Sequence, residues 1–272
     1  MPGSSILVGL VGAGIQASLK PRMHMEEGAA KGLSYDYRLI DLDVLGLTAA
    51  DLPKILADAE RSGFAGVNVT YPCKQAVIAY LDELSADARA IGAVNTVVFR
   101  HGRRFGHNTD WSGFAESFRR GLGDASRARI VQLGAGGAGA AVAHALLTLD
   151  AGTLAIVDTD HARARHLAQA LCRRFGASRA VATEHPADAV AAANGLVNTT
   201  PVGMAKFPGM AVDEGWLRPD LWVADIVYFP LETELLRTAR RIGCRTTSGA
   251  GMAAFHAAKA FELLCGIAPD AE

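Results

Sequence analysis

Short apolar runs alternate with amphipathic stretches along most of the chain, and the difference in period separates strands from helices. Residues 6–11 form an apolar run that ends in glycines, which predicts a buried strand entering a loop. Pro21 precedes a helical stretch over 22–31, and residues 35–41 alternate as a strand with Tyr37, Leu39 and Asp41 on one face. Residues 51–62 read as an amphipathic helix, and 66–70 as a β-branched strand with a turn at Pro72. Residues 94–99 and 104–108 predict a hairpin about His101 and Gly102. The second half repeats the alternation more regularly, with a strand at 130–133, a glycine loop at 134–139, a helix at 140–149, a strand at 153–157 and a helix at 162–175. Strands at 195–198, 222–225 and 245–247 continue the series, and an alanine-rich helix over 252–265 closes it. Such alternation predicts an α/β fold with parallel pairing.

Composition narrows the class. A chain of 272 residues, half of them hydrophobic and a fifth charged, can fill a core and is one large domain or two modest ones. That excludes a disordered chain, a fibrous repeat and a small disulfide scaffold. The 27 basic and 28 acidic side chains leave a net charge of −1, so the basic excess of a nucleic-acid binder is missing. No run of about 18 uncharged apolar residues predicts a membrane span, and the apolar start lacks the basic leader of a secretory signal. Cys73, Cys172, Cys244 and Cys265 form no CxxC pair, which predicts reduced structural thiols in a cytoplasmic protein. The histidines show no metal-ligand spacing, and no metal is expected.

The sharpest local signal is Gly134-Ala135-Gly136-Gly137-Ala138-Gly139, a G-x-G-x-x-G that follows one predicted strand and opens a helix. The first glycine makes the turn, the second lets a pyrophosphate approach the backbone, and the third lets helix and strand pack closely. The helix N-terminus adds oriented N–H groups. Asp158 ends the next strand, where a carboxylate accepts from a ribose 2′-hydroxyl. A 2′-phosphate beside it would meet like charge, so NAD is favoured, with NADP second.

A second constellation lies in the first half: Asn68, Thr70 and Lys74 around Pro72, then Asn95 and Thr96, then Asn108, Thr109 and Asp110. Each alone is more often a turn residue than a ligand. Together they offer one cation, one carboxylate and several neutral hydrogen-bonders, a set suited to a small polyhydroxylated acid.

These segments resemble the shikimate/quinate dehydrogenase family. The likeness runs from the serine loop before Pro21 through 68–74, 92–96, 108–110, 134–138, 198–204, 225–230 and 249–261, in order and spacing. It implies a substrate domain over 1–111, a doubly wound Rossmann-type dinucleotide domain over 112–248, and a C-terminal helix within 249–272 that packs back on the first domain. It implies reversible hydride transfer between NAD or NADP and a ring alcohol or ketone, either shikimate/3-dehydroshikimate or quinate/3-dehydroquinate. It places the catalytic pair at Lys74 and Asp110. Substrate contacts fall at Ser18, Thr70, Asn95 and Tyr228, and dinucleotide contacts at Thr200, Pro201, Met204, Ile226 and Gly249. An alcohol that loses hydride must also lose its proton, and a lysine–carboxylate pair can relay it. Which of the two holds the proton stays open.

Two positions depart from the family. Its Ser-x-Ser reads Ser18-Leu19-Lys20 here, and His256 stands where the family has a glutamine for ring hydroxyls. Lys20 either adds a charged donor for the substrate carboxylate or is a surface lysine. His256 either binds substrate with fewer donor and acceptor sites than an amide or packs in the core. Both changes leave Lys74 and Asp110 in place, so the expected partner is a small ring hydroxy acid, taken up by a monomer or homodimer. Two other readings stay open: a modified ring acid such as aminoshikimate as substrate, or a non-enzymatic sensor of a metabolite or dinucleotide.

Overall fold

The computed structural model describes residues 5–269. The described chain divides into two compact units, residues 5–109 with 256–269, and residues 110–255.

The first unit begins β1 (Ile6–Gly12), α1 (Lys20–Ala30), β2 (Tyr35–Asp41), α2 (Leu42–Leu45), α3 (Leu52–Arg61), β3 (Gly66–Val69) and α4 (Cys73–Ala76). It continues through β4 (Glu83–Leu84), α5 (Ala86–Ile91), β5 (Thr96–Arg100) and β6 (Arg103–His107). Its sheet has the order β2-β1-β3-β5-β6-β4. β1 runs parallel to β2 and β3, whereas β5 and β6 form an antiparallel hairpin. The hairpin turns at His101 and Gly102, whose φ values of 54° and 69° match the twist of the flanking strands. Both faces of the sheet are covered. Val67, Val69 and Val97 pack with Leu52, Ile55 and Leu56 of α3 on one side, and Val8, Leu10 and Val98 pack with Leu264 on the other. Burial on two sides is why β1 reads as an unbroken apolar run rather than an alternating one.

The second unit comprises α6 (Asp110–Leu122), β7 (Arg129–Leu133), α7 (Gly137–Thr148), β8 (Thr153–Val157), α8 (His161–Phe175), β9 (Ala180–Ala182) and α9 (Pro186–Ala191). It ends with β10 (Gly195–Asn198), β11 (Trp222–Asp225), α10 (Glu234–Ile242), β12 (Thr246–Ser248) and the start of α11 (Gly249–Cys265). All its strand pairs are parallel, in the order β12-β11-β10-β7-β8-β9. The chain winds outward one way from β7 and then the other way from β10. That reversal is a switch point, where open α/β sheets hold ligands at the carboxyl ends of their strands.

The units divide at 109/110 and 255/256, whereas the sequence places the divisions at 111/112 and 248/249. The reason is α11, one continuous helix whose two ends pack on different partners. In the second unit Gly251 abuts Ser117, and Phe255 lies 4.6 Å beneath the Arg120 guanidinium. In the first, Phe261 stacks on Tyr35 at 5.2 Å and Leu264 covers Gly66. Among the described residues no helix is long and apolar enough to cross a membrane, and all four cysteines are unbridged.

Candidate active site

In the first unit the proposed ring-acid residues gather where β1 and β3 end. Gly12 leaves β1 with the Thr70 methyl group in the space a Cβ would need. The loop that follows is clamped by Asp41 at the end of β2. The Asp41 carboxylate accepts from Gly14 N–H at 3.0 Å, Ile15 N–H at 3.0 Å and Gln16 Nε2 at 2.9 Å. Burial raises the Asp41 pKa, but the bonds from Gln16, Ile15, Gly14 and Asp43 outweigh it and hold the carboxyl below its ordinary value. This clamp sets the course of the loop that carries Ser18 to the start of α1. There Ser18 Oγ accepts from the Lys20 N–H at 3.3 Å.

Lys20 and His256 share a neighbour. His24 is pushed down to about 3, first by burial and then by the charges of Lys20 and His256. Both departures from the family pattern therefore surround one buried imidazole. His24 itself is fixed by the Tyr35 hydroxyl, 3.1 Å from Nδ1, and by the Tyr37 ring at 4.9 Å.

Thr70, Lys74 and Asn95 are joined through backbone. Val69 N–H donates to Asn95 O and Val94 N–H to Lys74 O, both at 2.8 Å. The Asn95 side chain is oriented by a buried relay that the sequence does not reveal as such. Tyr37 OH donates to Asn68 Oδ1 at 2.8 Å, and Asn68 Nδ2 donates to Thr96 Oγ1 at 3.0 Å. Thr96 Oγ1 donates to Asn95 Oδ1 at 3.0 Å, and Thr109 N–H donates to the same oxygen at 2.9 Å. Asn95 Nδ2 in turn donates to Thr109 Oγ1 at 3.0 Å. An amide carries two N–H donors, so the relay leaves one of them for a ligand and fixes Asn95 as a donor to it. The signal that could have found the relay is Asn68, a polar amide inside the apolar run of β3.

In the second unit Asp110 opens α6 and is buried. Burial first, and then the Asp110 carboxylate, pushes the Tyr228 phenol above its ordinary value, so these two proposed site residues are neighbours. Gly249 packs against the Ile226 carbonyl, which joins two more. Asn198 and Asp225 hold the loops between them. Asn198 Oδ1 accepts from the Thr200 N–H at 3.1 Å, and its Nδ2 donates to Val202 O and Asp225 Oδ1, both at 3.0 Å. Asp225 also accepts from Val227 N–H at 3.0 Å and Thr233 Oγ1 at 2.7 Å. Thr200, Pro201 and Met204 on one side, and Ile226 and Tyr228 on the other, thus hang from one buried pair. Desolvation raises the Asp225 pKa, and the bonds from Thr233, Val227 and Asn198 oppose that rise.

The glycine loop fits a dinucleotide pyrophosphate. Gly134 has φ 97°, and a Cβ on Gly139 would collide with the Gly134 carbonyl. A Cβ on Gly136 would meet no protein atom, so that glycine borders open space. Gly136 caps α7 with no side chain accepting from the first turn, which leaves the N–H groups beside Gly137 and Ala138 aimed outward. Two residues hold the loop from below. Gln132 Nε2 donates to Gly134 O and Gly139 O, both at 2.9 Å. Thr199 Oγ1 donates to Leu133 O at 2.6 Å and Gly134 O at 3.0 Å. Asp158 reaches back to the loop and accepts from the Ala135 N–H at 2.7 Å and the Asp160 N–H at 2.8 Å. Asp160, not Asp158, caps α8 by accepting from the Arg163 N–H. Among the described residues no cluster of His, Cys, Asp and Glu could hold a metal ion.

Comparison with known proteins gives the family and the fold. Residues 10–97 match the family model of the shikimate dehydrogenase substrate binding domain. A shikimate dehydrogenase (NADP(+)) of Streptomyces avermitilis is 54% identical over 99% of this chain and 94% of its own length. A quinate/shikimate dehydrogenase (NAD(+)) of Corynebacterium efficiens is 46% identical over 100% of this chain and 97% of its own. The structure of quinate dehydrogenase from Corynebacterium glutamicum in complex with NAD superposes with a TM-score of 0.91 at 46% identity, covering 98% of this chain and 95% of that one.

Proposed function

The chain belongs to the shikimate/quinate dehydrogenase family, and from that premise we propose NAD as its preferred dinucleotide and Lys74 and Asp110 as the residues that move the proton. It is an oxidoreductase that transfers hydride reversibly between NAD or NADP and a ring carbon that alternates between hydroxyl and ketone. When bound, the dinucleotide supplies the hydride chemistry at its nicotinamide ring.

The second unit binds it. The uncapped N–H groups at the start of α7 take the pyrophosphate, and the open side of Gly136 admits it. Asp158 has one bond on each carboxylate oxygen, which leaves lone pairs for the ribose hydroxyl. A 2′-phosphate there would face that carboxylate, which supports NAD. Arg163 is too weak a counterweight, 3.8 Å from Asp158 and itself hydrogen-bonded to Asp160. Thr200, Pro201, Met204, Ile226 and Gly249 line the nicotinamide side.

The first unit binds the ring acid. Ser18 and Lys20 hold its carboxylate, and Thr70, Asn95 and His256 hold ring hydroxyls, Asn95 with its one unused N–H. Tyr228 is a further proposed contact for the ring. Lys74 takes the hydroxyl proton as the alcohol is oxidised, and Asp110 receives it or holds Lys74 charged for the reverse reaction. The observation that carries the reading is the open Gly136 at the switch point of an all-parallel sheet in a chain of this family.

Initial rates with shikimate and quinate, each with NAD and with NADP, test the proposal. Turnover of both acids with a higher kcat/KM for NAD is the expected result, and a preference for NADP overturns the role given to Asp158. Lys74→Ala should lower kcat by about 100-fold or more, the span of general acid–base assistance, while dinucleotide Kd stays within about twofold. Unchanged turnover removes Lys74 from the mechanism.

A further inference from the structure

A half-open surface pocket of about 380 Å³ lies between the β5–β6 hairpin and the second half of α11, within the first unit. Val98, Phe105 and Leu263 give it apolar walls, and Arg100, His107 and Glu262 supply its polar groups. It shares no residue with the set proposed for the ring acid. Its volume falls in the range of small-molecule sites, as does its make-up of apolar walls with a few polar groups.

Charge distinguishes the lining. Three arginines sit on this hairpin. Arg103 pairs with Glu83 at 2.7 Å and Arg104 with Glu60 at 2.6 Å. Arg100, facing the cavity, has no carboxylate partner among the described residues, and the His107 ring has no hydrogen-bond partner among them. Glu262 is shared with a second cation, since its carboxylate also accepts from Lys259 Nζ at 2.8 Å. Burial first, and then Lys259 and Arg100, push His107 below its ordinary value. The groups that face the imidazole are thus Arg100 from β5 and the Lys259–Glu262 pair from α11, with one positive charge in excess.

We propose that this cavity binds a small organic carboxylate with a flat apolar body. Arg100 and His107 take the carboxylate, and Val98, Phe105 and Leu263 take the body. A guanidinium presents two parallel N–H donors that match a carboxylate, and the neutral imidazole adds one more. A compact hydrated dianion would leave the apolar walls unmatched. The site also adjoins the ring-acid residues through backbone, since the His107 carbonyl accepts from the Asn95 N–H at 3.0 Å.

Phenylacetate is the probe, followed in the full chain through the imidazole NMR signal of His107, which is assigned by its loss in His107→Gln. The expected result is a saturable shift with a rise in the titration midpoint of that signal, because a bound carboxylate favours the imidazolium. Arg100→Ala should weaken binding about tenfold, equivalent to about 1.4 kcal/mol, and leave turnover without the probe unchanged. Absence of a saturable shift overturns the proposal, as does full affinity in Arg100→Ala. Equal binding of inorganic phosphate shows that the apolar walls take no part and overturns the ligand class. Displacement of phenylacetate by shikimate assigns the probe to the ring-acid site and also overturns it.

Discussion

Burial has a large consequence for His24. Packed against Tyr35, Tyr37 and Phe261, it stays neutral down to about pH 3 in the folded chain, whereas an exposed histidine protonates near 6.5. Protons therefore favour the unfolded chain below pH 6.5, and stability conferred by the neutral ring is lost as pH falls through that window. The slope is about 1.4 kcal/mol per pH unit for one such group. Urea unfolding should show stability falling by about 2 kcal/mol more between pH 6.5 and 5 in the native chain than in His24→Phe, which has no group to titrate there. Equal slopes would show that His24 is protonated in the folded state. In the sequence His24 is simply a histidine three residues after Pro21. The Nε2 atom that lacks any hydrogen-bond partner is visible only in the folded chain.

Loops in this protein are held by side chains from neighbouring strands. Asp41, from the end of β2, clamps residues 14–16, and Gln132, from the middle of β7, clamps the two ends of the glycine loop. Gln132→Leu keeps the volume but removes both donations to the loop, leaving Gly134 O with the Thr199 hydroxyl alone. It should destabilise the chain by about 1–3 kcal/mol and raise the dinucleotide Kd, with the ring-acid KM at saturating dinucleotide unchanged. Stopped-flow dinucleotide binding and urea unfolding check both, and an unaltered Kd would make the clamp irrelevant to binding. The long elements were legible because each repeats its period over several turns or is apolar throughout. The four-residue helices α2 and α4, the six-residue α5 and the two-residue β4 are too short to show a period. α10 is a plain omission. Thr233 caps it, Leu235, Leu236 and Ala239 bury one face, and Gly243 ends it at φ 103°.

Ligation should be felt by the molecule as a whole, because a dinucleotide that binds only the folded chain stabilises it by mass action. NAD at about 100 times its Kd should add about 2.7 kcal/mol, and thermal unfolding should shift upward by several degrees. NADP at the same concentration should shift it less, given the Asp158 carboxylate at the end of β8. A larger shift with NADP would contradict that assignment. Relatives of both kinds resemble this chain, an NADP(+) enzyme at 54% identity and an NAD(+) enzyme at 46%, so overall similarity does not choose between them. The thermal shifts with the two dinucleotides would.

Local chemistry settled a good part of this protein before any folding was considered. The glycine turn, the strands on either side of it, the hairpin at His101 and Gly102, and the acid closing β8 are each written within a few consecutive residues. What no short segment contains is the partner of a distant group. Asp41 reaches residues 26 and 27 positions away, and Gln132 of β7 and Thr199, just beyond β10, meet at one carbonyl. The relay that turns Asn95 into a donor draws on four other strands and loops. α11 is divided between two units because its neighbours, not its own residues, differ from end to end. Hydrogen bonds and burial depend on which atoms meet in space, and only the packed chain brings them together.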